Sequence, residues 1–338
     1  MSLYGKAPMR GMHTFTAINV SDALWLVKQA IETSGVEVET RNGKALEFRE
    51  PCAIPYNNPR ERVLFYPQRD ANPIFHFMES LWMLAGRNDL KWIQRYNKQM
   101  GTYSDNGIHL QGAYGYRWRN YFHRDQLDIV IHRLMTYEND RRTVLTMWDP
   151  EGDLRRSNEC KDHPCNTHIY LSVRDNTLDM TVCNRSNDMI WGALGANAVH
   201  MSILQEYIAA RIGAKVGIYT QFSNNLHAYV DVLEQLDGMI PDYDSYSTRM
   251  IRPSPLVDDI VTFDEELEWF MEDAERPRPY TNSVFREVAQ PMHRMWMAWK
   301  EKDFFQATEH SKDIKPDDWH LACYEWLERR HGKWMESV

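Results

Sequence analysis

A cysteine and an arginine, about 20 residues apart in the middle of the chain, are the residues best suited to covalent chemistry. Cys165 follows His163 and Pro164 just before a predicted strand, and Arg185 follows the next predicted strand. A nearby cation lowers the pKa of a thiol and favours the thiolate, which is the nucleophilic form. The pair predicts a site for nucleophilic catalysis, although a cysteine at the start of a strand is more often an inert core residue.

Glu79 is the one acidic residue in a dense apolar stretch, residues 73–84. An acid in a helix usually lies at the solvent edge, but Phe75, Met78 and Trp82 are among the apolar neighbours that surround this one on nearly every face. A buried carboxylate without partners costs free energy, so burial favours a functional role over a structural one. The sequence therefore predicts a functional carboxylate at Glu79.

The composition limits the classes of protein to consider. The chain has 338 residues, of which 43% are hydrophobic, so it can bury a large core. Its net charge of -9 argues against direct binding of nucleic acid, and an anionic substrate must be held by a local arginine cluster. Five cysteines form an odd, sparse set that indicates reduced thiols. Because no apolar stretch approaches the ~20 residues that span a bilayer, we expect a soluble cytoplasmic protein without a membrane partner.

The apolar pattern of the first part of the chain predicts helices and a hairpin around Glu79. Ser21 and Asp22 are suited to cap a helix that ends near Gly35. The Asn42-Gly43 dipeptide predicts a tight turn within residues 36–48. Residues 73–84 form a second helix, which carries Glu79 and ends near Gly86.

The middle and the end of the chain differ in apolar pattern and in composition. Strands are predicted at residues 143–148, 169–173, 178–182 and 216–222, with a long buried helix over residues 196–212. After residue 253 the sequence becomes charged and rich in tryptophan, which predicts helices over residues 264–275, 283–300 and 317–330. We therefore predict an α+β fold, with a catalytic core of residues 1–252 and a helical extension of residues 253–338 packed on it.

Several short segments resemble, in their order and spacing, the thymidylate synthases and their deoxycytidylate hydroxymethylase relatives. They cover roughly residues 41–229, and many motifs in the right order are more specific than any single match. The segments are Phe77-Met78-Glu79-Ser80-Leu81-Trp82, residues 112–119, Arg141-Arg142 with Trp148-Asp149-Pro150, Pro164-Cys165, Arg185-Ser186-Asn187-Asp188, Gly195-Ala196-Asn197 and His227-Ala228-Tyr229. The resemblance implies a mixed, twisted sheet with flanking helices, one face of which packs against a second subunit.

The resemblance implies a chemistry for these residues, which is one-carbon transfer from 5,10-methylenetetrahydrofolate to C5 of a pyrimidine nucleoside monophosphate. In this chemistry the Cys165 thiolate adds to C6 of the base, which makes C5 nucleophilic. Glu79 stabilises charge and moves protons through ordered water, and Tyr114 assists removal of the proton from C5. The folate is a co-substrate, and no metal ion is expected.

Recognition of the phosphate requires guanidinium groups, which bind dianionic oxygens through paired hydrogen bonds. The resemblance assigns the phosphate to Arg185, Ser186, Arg41 and the pair Arg141 and Arg142. In the family that pair comes from the partner subunit, which implies an obligate homodimer with shared active sites. Taken alone, adjacent arginines on a charged surface are more often only solvated.

The resemblance assigns the base and the sugar to Asn197, His227 and Tyr229, and the pterin of the folate to Asp188. A carboxamide can donate to O4 and accept from N3-H of uracil, whereas a cytosine site usually has a carboxylate there. Asn197 therefore favours a uracil base. We expect His227 and Tyr229 to bond the 3′-hydroxyl of the sugar, although such a histidine is as often a packed core residue.

Some features of the family are missing, and the differences concern the exclusion of water. The tryptophan that stands about fourteen residues before Tyr114 and shields the folate site is replaced by Met100-Gly101-Thr102-Tyr103. The usual apolar tail is replaced by Trp334-Met335-Glu336-Ser337-Val338. Water that reaches the methylene intermediate gives a 5-hydroxymethyl product. We therefore predict a dUMP 5-hydroxymethylase that makes modified DNA precursors, for example in a phage-infected cell. Thymidylate synthase is the first alternative, and a dCMP or CMP hydroxymethylase is the next.

Two other classes of protein are open at this point. Cys160, His163, Cys165 and His168 are crowded like a zinc cluster, but their spacing is too tight for two zinc knuckles. Two of them would also lie in a strand with their side chains on opposite faces. The second class is a non-catalytic family member that binds a nucleotide or RNA, and the presence of both Cys165 and Glu79 argues against it.

Overall fold

The computed structural model describes residues 11–137, 139–156, 160–241, 244–315 and 317–335, and two β-sheets form its centre. The strands are β1 (His13–Thr14), β2 (Val36–Thr40), β3 (Gly43–Glu47), β4 (Cys52–Tyr56), β5 (Val144–Thr146), β6 (Asn166–Arg174), β7 (Thr177–Asn184), β8 (Asn187–Asp188), β9 (Lys215–Ser223) and β10 (Leu226–Tyr229). The larger sheet has six strands in the order β1-β4-β9-β7-β6-β5. The smaller sheet has four strands in the order β2-β3-β10-β8.

Helices flank the sheets and make up most of the C-terminal part. The α-helices are α1 (Val20–Ser34), α2 (Pro73–Leu84), α3 (Leu90–Ile93), α4 (Met100–Tyr103), α5 (Tyr114–Tyr116), α6 (Gln126–Thr136), α7 (Pro150–Asp153), α8 (Asn197–Ile212), α9 (Val230–Leu233), α10 (Ser245–Thr248), α11 (Ile260–Glu272), α12 (Gln290–Lys300), α13 (Phe304–Ser311) and α14 (Asp317–Met335). Short 3₁₀-helices are found at Pro67–Arg69 and Glu234–Leu236, and π-helical segments at Arg117–Tyr121, Met189–Ala196 and Val284–Ala289. The predicted α+β class is confirmed.

The larger sheet is mixed, as predicted. β6 and β7 form an antiparallel hairpin, and its turn residues Asp175 and Asn176 have φ angles of 48° and 55°. Asp and Asn tolerate this left-handed backbone better than most residues, which explains the tight turn. β7 and β9 run parallel, and the long helix α8 connects them and packs against both. The predicted hairpin and the predicted helix over residues 196–212 are therefore confirmed.

The two faces of the larger sheet have different surroundings. Along β7, Leu178, Met180 and Val182 are buried, and the residues between them are only partly buried. Tyr170 of β6 and Ile218 of β9 carry large apolar side chains that are 48% and 41% exposed. One face of the sheet therefore contributes to the core, and the other presents apolar side chains at the surface of this single chain.

The helix that carries Glu79 has the predicted bounds, whereas the first helix does not. α1 begins at Val20, and the side chain of Asn19 accepts hydrogen bonds from the backbone N–H groups of Ser21 and Asp22. The predicted cap at Ser21 and Asp22 is therefore wrong, because the capping residue precedes them. The helix ends at Gly35, as expected.

The hairpin between β2 and β3 turns one residue earlier than the Asn42-Gly43 prediction. Thr40 pairs with Gly43, so Arg41 and Asn42 form the tip of the hairpin. Gly43 has a φ angle of 117°, which L-residues with a side chain rarely adopt. The shift matters for function, because it places the side chain of Arg41 at an exposed tip beside the large cavity described below.

The C-terminal helices pack directly on the helix that carries Glu79. Trp319 of α14 makes a T-shaped contact with Phe77 of α2, with ring centroids 5.0 Å apart. Arg329 and Arg330 both bind the carboxylate of Asp70. Buried apolar side chains form one continuous cluster from the first helix to α14. The division into residues 1–252 and 253–338 stays a prediction, and α13 is a helix that the sequence did not predict.

A buried ion pair fixes the segment that carries Tyr114. Arg117 and Asp153 are 1% and 4% exposed and form two hydrogen bonds of 2.9 and 2.8 Å. The guanidinium group also donates to the backbone carbonyls of Gln111 and Met147. A buried charge pair of this kind is stable only when its remaining hydrogen bonds are made, and here they connect three chain segments. The pair therefore fixes the position of Tyr114 relative to the sheet.

Candidate active site

All of the predicted site residues except Arg141 and Arg142 line one large cavity of about 1850 Å³. They come from the hairpin tip, α2, α5, the residue before β6, the residues after β7, β8, the start of α8, and β10. Residues far apart in the sequence therefore meet at one place. The members are Arg41, Glu79, Tyr114, Cys165, Arg185, Ser186, Asp188, Asn197, His227 and Tyr229.

Cys165 lies directly before β6, and Arg185 holds the chain around it. The guanidinium Nη2 of Arg185 is 3.9 Å from the Cys165 Sγ, and the Arg185 backbone N–H donates to the Cys165 carbonyl. Burial nevertheless raises the pKa of the Cys165 thiol, and the charges of Arg185 and Arg41 offset only part of this effect. The predicted contact is present and Arg185 lowers the pKa of the thiol as expected, but the opposing effect of burial, which the sequence did not predict, is larger.

Glu79 is 13% exposed in its side chain and faces a histidine that the sequence did not single out. The carboxylate Oε2 lies 3.1 Å from the Nε2 of His200, which is on α8 one turn after Asn197. The nitrogen is buried and faces Glu79 without the geometry of a hydrogen bond, so the two groups form a close polar pair beside the cavity. The helical spacing of three residues from Asn197 was the only sequence signal for His200.

Tyr114 is held close to α2 by the glycine that follows it. A Cβ atom at Gly115 would lie 1.9 Å from the carbonyl oxygen of Met83 in α2, so only glycine allows this approach. The phenol oxygen of Tyr114 accepts a hydrogen bond from the backbone N–H of Asn166, next to Cys165. Burial raises the pKa of Tyr114 well above its ordinary value. The phenol is thus kept protonated at neutral pH, and it lies close enough to Cys165 and Glu79 for the charges of both to raise its pKa further.

The residues predicted for the phosphate fall into two groups. Arg41, Arg185 and Ser186 line the cavity, where a dianion could be bound from two sides. Arg141 and Arg142 are exposed on the surface outside the lining, and Arg142 makes a 3.3 Å ion pair with Asp140. The second group therefore does not reach the cavity of its own chain.

The residues predicted for the sugar are tied to their neighbours by hydrogen bonds. The Nδ1 of His227 lies 2.9 Å from the Asn225 side-chain oxygen, and the hydroxyl of Tyr229 accepts from the amide of Asn42. Burial lowers the pKa of His227, while the charge of Asp188 acts in the opposite direction. The imidazole is therefore neutral at pH 7 and can both donate and accept.

Asp188 is positioned by the segment that follows it. Its Oδ1 accepts hydrogen bonds from the backbone N–H groups of Ile190 and Trp191, and burial raises the pKa of the carboxyl. Its Oδ2 is buried and, within the described residues, makes no hydrogen bond. A buried carboxylate oxygen without a partner costs free energy, which marks Asp188 as a candidate functional group.

The C-terminal helices supply one wall of the cavity. Trp296 and Trp299 of α12 and Trp326 of α14 form an aromatic cluster with ring centroids 4.9 to 5.8 Å apart. The guanidinium of Arg330 stacks on Trp326 at 3.8 Å. Tyr103, from the region where the family has its shielding tryptophan, also lines the cavity and is 54% exposed. Residues 336–338 lie outside the described residues, so the predicted role of the tail is not tested.

Two other expectations concern metals and membranes. In the described ranges, no group of three or more His, Cys, Asp and Glu side chains is placed to hold a metal ion, and that includes the cysteines and histidines of residues 160–168. Likewise, none of the described helices combines the length and the apolar character that crossing a bilayer requires.

Comparison with known proteins decides the family. The family model described as thymidylate synthase matches residues 26–266, which is more than half of the chain. The chain belongs to the thymidylate synthase family. Members of this family carry out folate-dependent transfer to C5 of a pyrimidine nucleotide, typically with a cysteine nucleophile, and use methylenetetrahydrofolate as co-substrate. The resemblance inferred from the motifs is therefore confirmed.

Similar proteins within the thymidylate synthase family include several from phages. A deoxyuridylate hydroxymethyltransferase of Pseudomonas phage M6 is 42% identical over 330 residues, which cover 93% of each chain. A protein with the same name from Bacillus phage SP01 is 34% identical over 65% of this chain and 60% of the relative. A thymidylate synthase of Buchnera aphidicola is 29% identical over 48% of this chain and 62% of the relative. The match to the first of these extends well beyond residue 266, into the C-terminal helices.

Proposed function

We propose that this enzyme transfers the one-carbon unit of 5,10-methylenetetrahydrofolate to C5 of dUMP and releases 5-hydroxymethyl-dUMP. The observation that carries the proposal is the match to the hydroxymethyltransferase of Pseudomonas phage M6, which spans nearly the whole chain. The cavity supports it, since the predicted nucleophile, acid and base-binding amide line the same space.

The covalent steps begin at Cys165. Its thiolate bonds to C6 of uracil, and the electron pair of the C5–C6 bond makes C5 the nucleophile that attacks the methylene group. Tyr114, whose neutral hydroxyl is fixed by the Asn166 backbone, then orients the water that carries away the proton leaving C5. Loss of tetrahydrofolate leaves a methylene group on C5, conjugated with the C4 carbonyl.

The last steps add water and release the enzyme. The water oxygen bonds to the methylene carbon, and its proton passes to the polar groups of Glu79 and His200, which lie 3.1 Å apart beside the cavity. The electron pair moves to the C4 oxygen and then re-forms the C5–C6 bond as Cys165 leaves C6. The sum is dUMP, methylenetetrahydrofolate and water giving 5-hydroxymethyl-dUMP and tetrahydrofolate.

Binding of the phosphate is proposed to require two subunits. Arg41, Arg185 and Ser186 would hold it from one chain, and Arg141 and Arg142, which do not line their own cavity, would reach it from the partner subunit. The exposed apolar face of the larger sheet, with Tyr170 and Ile218, supports a homodimer, because such a face is suited to pack against a second copy.

Product analysis tests the proposal directly. Enzyme and methylenetetrahydrofolate are incubated with dUMP, dCMP, UMP and CMP in parallel, and the products are identified by mass. The expected result is 5-hydroxymethyl-dUMP with one equivalent of tetrahydrofolate. Formation of dTMP with stoichiometric dihydrofolate would refute hydroxymethylation and assign thymidylate synthesis, and 5-hydroxymethyl-dCMP or -CMP would refute the choice of base.

Thymidylate synthase is the second candidate, and one observation favours it. The cavity wall contains three tryptophans of the C-terminal helices, Trp296, Trp299 and Trp326. They add aromatic surface to a cavity in which Tyr103 occupies the region of the family's shielding tryptophan. If this surface excludes water from the methylene group, the folate can deliver hydride instead. The oxidation state of the released folate distinguishes the two reactions.

A further inference from the structure

Asn197 is the first member of a chain of buried amide side chains that leads from the cavity wall to a backbone carbonyl. Its Nδ2 donates to Oδ1 of Asn187 at 3.1 Å, and Nδ2 of Asn187 donates to Oε1 of Gln221 at 2.6 Å. Nε2 of Gln221 then donates to the carbonyl oxygen of Ala193 at 2.8 Å. The three amide side chains are 6%, 2% and 0% exposed, so water does not compete for these bonds. We call these residues the amide relay.

The carbonyl at the end of the amide relay fixes the direction of every hydrogen bond in it. A backbone carbonyl can only accept, so Gln221 must turn Nε2 toward Ala193 and Oε1 toward Asn187. Asn187 must then donate with Nδ2 and accept with Oδ1. Asn197 must in turn direct Nδ2 into the protein, which leaves Oδ1 and the second Nδ2 hydrogen for a ligand.

Two hydroxyl groups beside the amide relay are compatible with this direction. Tyr56 donates to the same carbonyl of Ala193 at 3.4 Å. Ser223 accepts from Nδ2 of Asn187 at 3.2 Å. Because a hydroxyl can both donate and accept, neither group would by itself orient an amide, and the carbonyl remains the element that does.

We propose that Asn187 and Gln221, anchored on the carbonyl of Ala193, set the base specificity of the enzyme by holding Asn197 in a single amide orientation. The inference rests on the proposed function and deepens it. An acceptor beside a donor on Asn197 matches N3-H and O4 of uracil. Cytosine presents an acceptor at N3 and a donor at N4, which would require the opposite orientation of the amide.

The amide relay resists that opposite orientation along its whole length. In the present arrangement Nδ2 of Asn197 lies 3.1 Å from Oδ1 of Asn187. If the Asn197 amide is reversed, its Oδ1 takes the place of Nδ2, and two acceptor oxygens face each other. Reversal of Asn187 and Gln221 relieves this contact only by placing Oε1 of Gln221 against the carbonyl of Ala193. Every reversed arrangement therefore places two buried acceptors in contact. The loss of one buried hydrogen bond corresponds to a discrimination between dUMP and dCMP of about tenfold or more.

A neighbouring glycine gives the relay the space it occupies. A Cβ atom at Gly192 would lie 2.7 Å from Oδ1 of Asn187 and 3.5 Å from Nδ2 of Asn197. Any side chain at this position would push into the bond between the two amides. The local backbone is therefore compatible with the amide relay only as long as Gly192 is retained.

The test compares the affinity for dUMP with the affinity for dCMP, measured by calorimetry on the full-length protein. Asn187→Leu and Gln221→Met remove the directing groups, so we expect the dUMP/dCMP preference to fall by about tenfold or more. Ser223→Ala is the matched control, because it removes a hydroxyl beside the amide relay and leaves the three amides and the carbonyl that directs them. It should keep the preference of the native enzyme.

The outcomes separate this inference from the proposed function. If Asn187→Leu and Gln221→Met, shown to be folded by circular dichroism, keep the native preference, the amide relay does not set specificity. Loss of the preference in Ser223→Ala as well would also overturn it, since the amide direction would then not be the cause. Should one apolar variant not fold, the other and Ser223→Ala still decide. Failure of the native enzyme to convert dUMP would refute the proposed function alone, because the binding ratio does not depend on turnover.

Discussion

Asp318, in the first turn of α14, should make the stability of the protein depend on pH in an unusual direction. The carboxyl is 1% exposed, accepts from the Tyr246 hydroxyl and its neighbour's backbone N–H, and lies where α14 meets the core. Burial raises its pKa from 3.8 to about 6, and Arg62 opposes this only in part. The folded protein therefore binds this proton more tightly than the unfolded chain does.

The sign and the size of the effect follow from linkage. Because the folded pKa is the higher one, the contribution of Asp318 to stability is fully present below about pH 4 and is lost as the pH rises through about 6. A shift of about two units corresponds to roughly 3 kcal/mol, of which about 2 kcal/mol falls between about pH 4.5 and pH 7.5. Asp318→Asn cannot ionise, so its stability lacks this dependence.

Urea unfolding, followed by tryptophan fluorescence at fixed protein concentration, measures the difference between the native protein and Asp318→Asn. We expect the native protein to lose about 2 kcal/mol relative to the variant from about pH 4.5 to pH 7.5. Asp317→Asn is the matched control, since Asp317 is an exposed acid in the same helical turn. A difference that stays constant with pH, or one that grows in favour of the native protein at higher pH, would refute the reasoning.

Four further changes test the site and the fold. Cys165→Ser should abolish turnover and covalent trapping by 5-fluoro-dUMP with methylenetetrahydrofolate while nucleotide binding persists; appreciable turnover would mean another nucleophile. Glu79→Gln should lower kcat by about 10²-fold or more with a smaller change in nucleotide affinity, whereas a change confined to affinity would contradict an acid–base role. Arg142→Ala and Cys165→Ser, each inactive, should regain activity when their subunits are mixed, and a mixture that stays inactive would argue against shared sites. Asp153→Asn leaves Arg117 buried and unpaired and should reduce the free energy of unfolding in urea by about 3–5 kcal/mol, which an unchanged midpoint would disprove.

The parts of the site carried by short local motifs could be predicted from the sequence. The sequence itself shows the spacing of Cys165 and Arg185 and the position of Glu79 within an apolar helix. Such patterns of residue type and spacing can be recognised before a structure is known. The bounds of α2 and the turn at Asp175 and Asn176 were also predictable, because local propensities decide them.

Other features depend on burial or on pairing between distant segments and could not be predicted. Burial raises the pKa of Cys165 by more than the charge of Arg185 lowers it. A sequence does not show the balance between these two effects. Asn187 and Gln221 are neighbours only through the arrangement of the strands around the cavity. The cap of α1 was missed because Ser21 and Asp22 compete with Asn19 for the same role in any local pattern.

The raised pKa of Cys165 also has a consequence for the chemical durability of the enzyme. A thiol that burial keeps protonated reacts slowly with peroxides and alkylating agents, because the thiolate is the form that they attack. The resting enzyme should therefore resist oxidation at Cys165, its proposed nucleophile. We therefore expect the same burial that disfavours the thiolate to protect the thiol between turnovers, until substrate occupies the cavity.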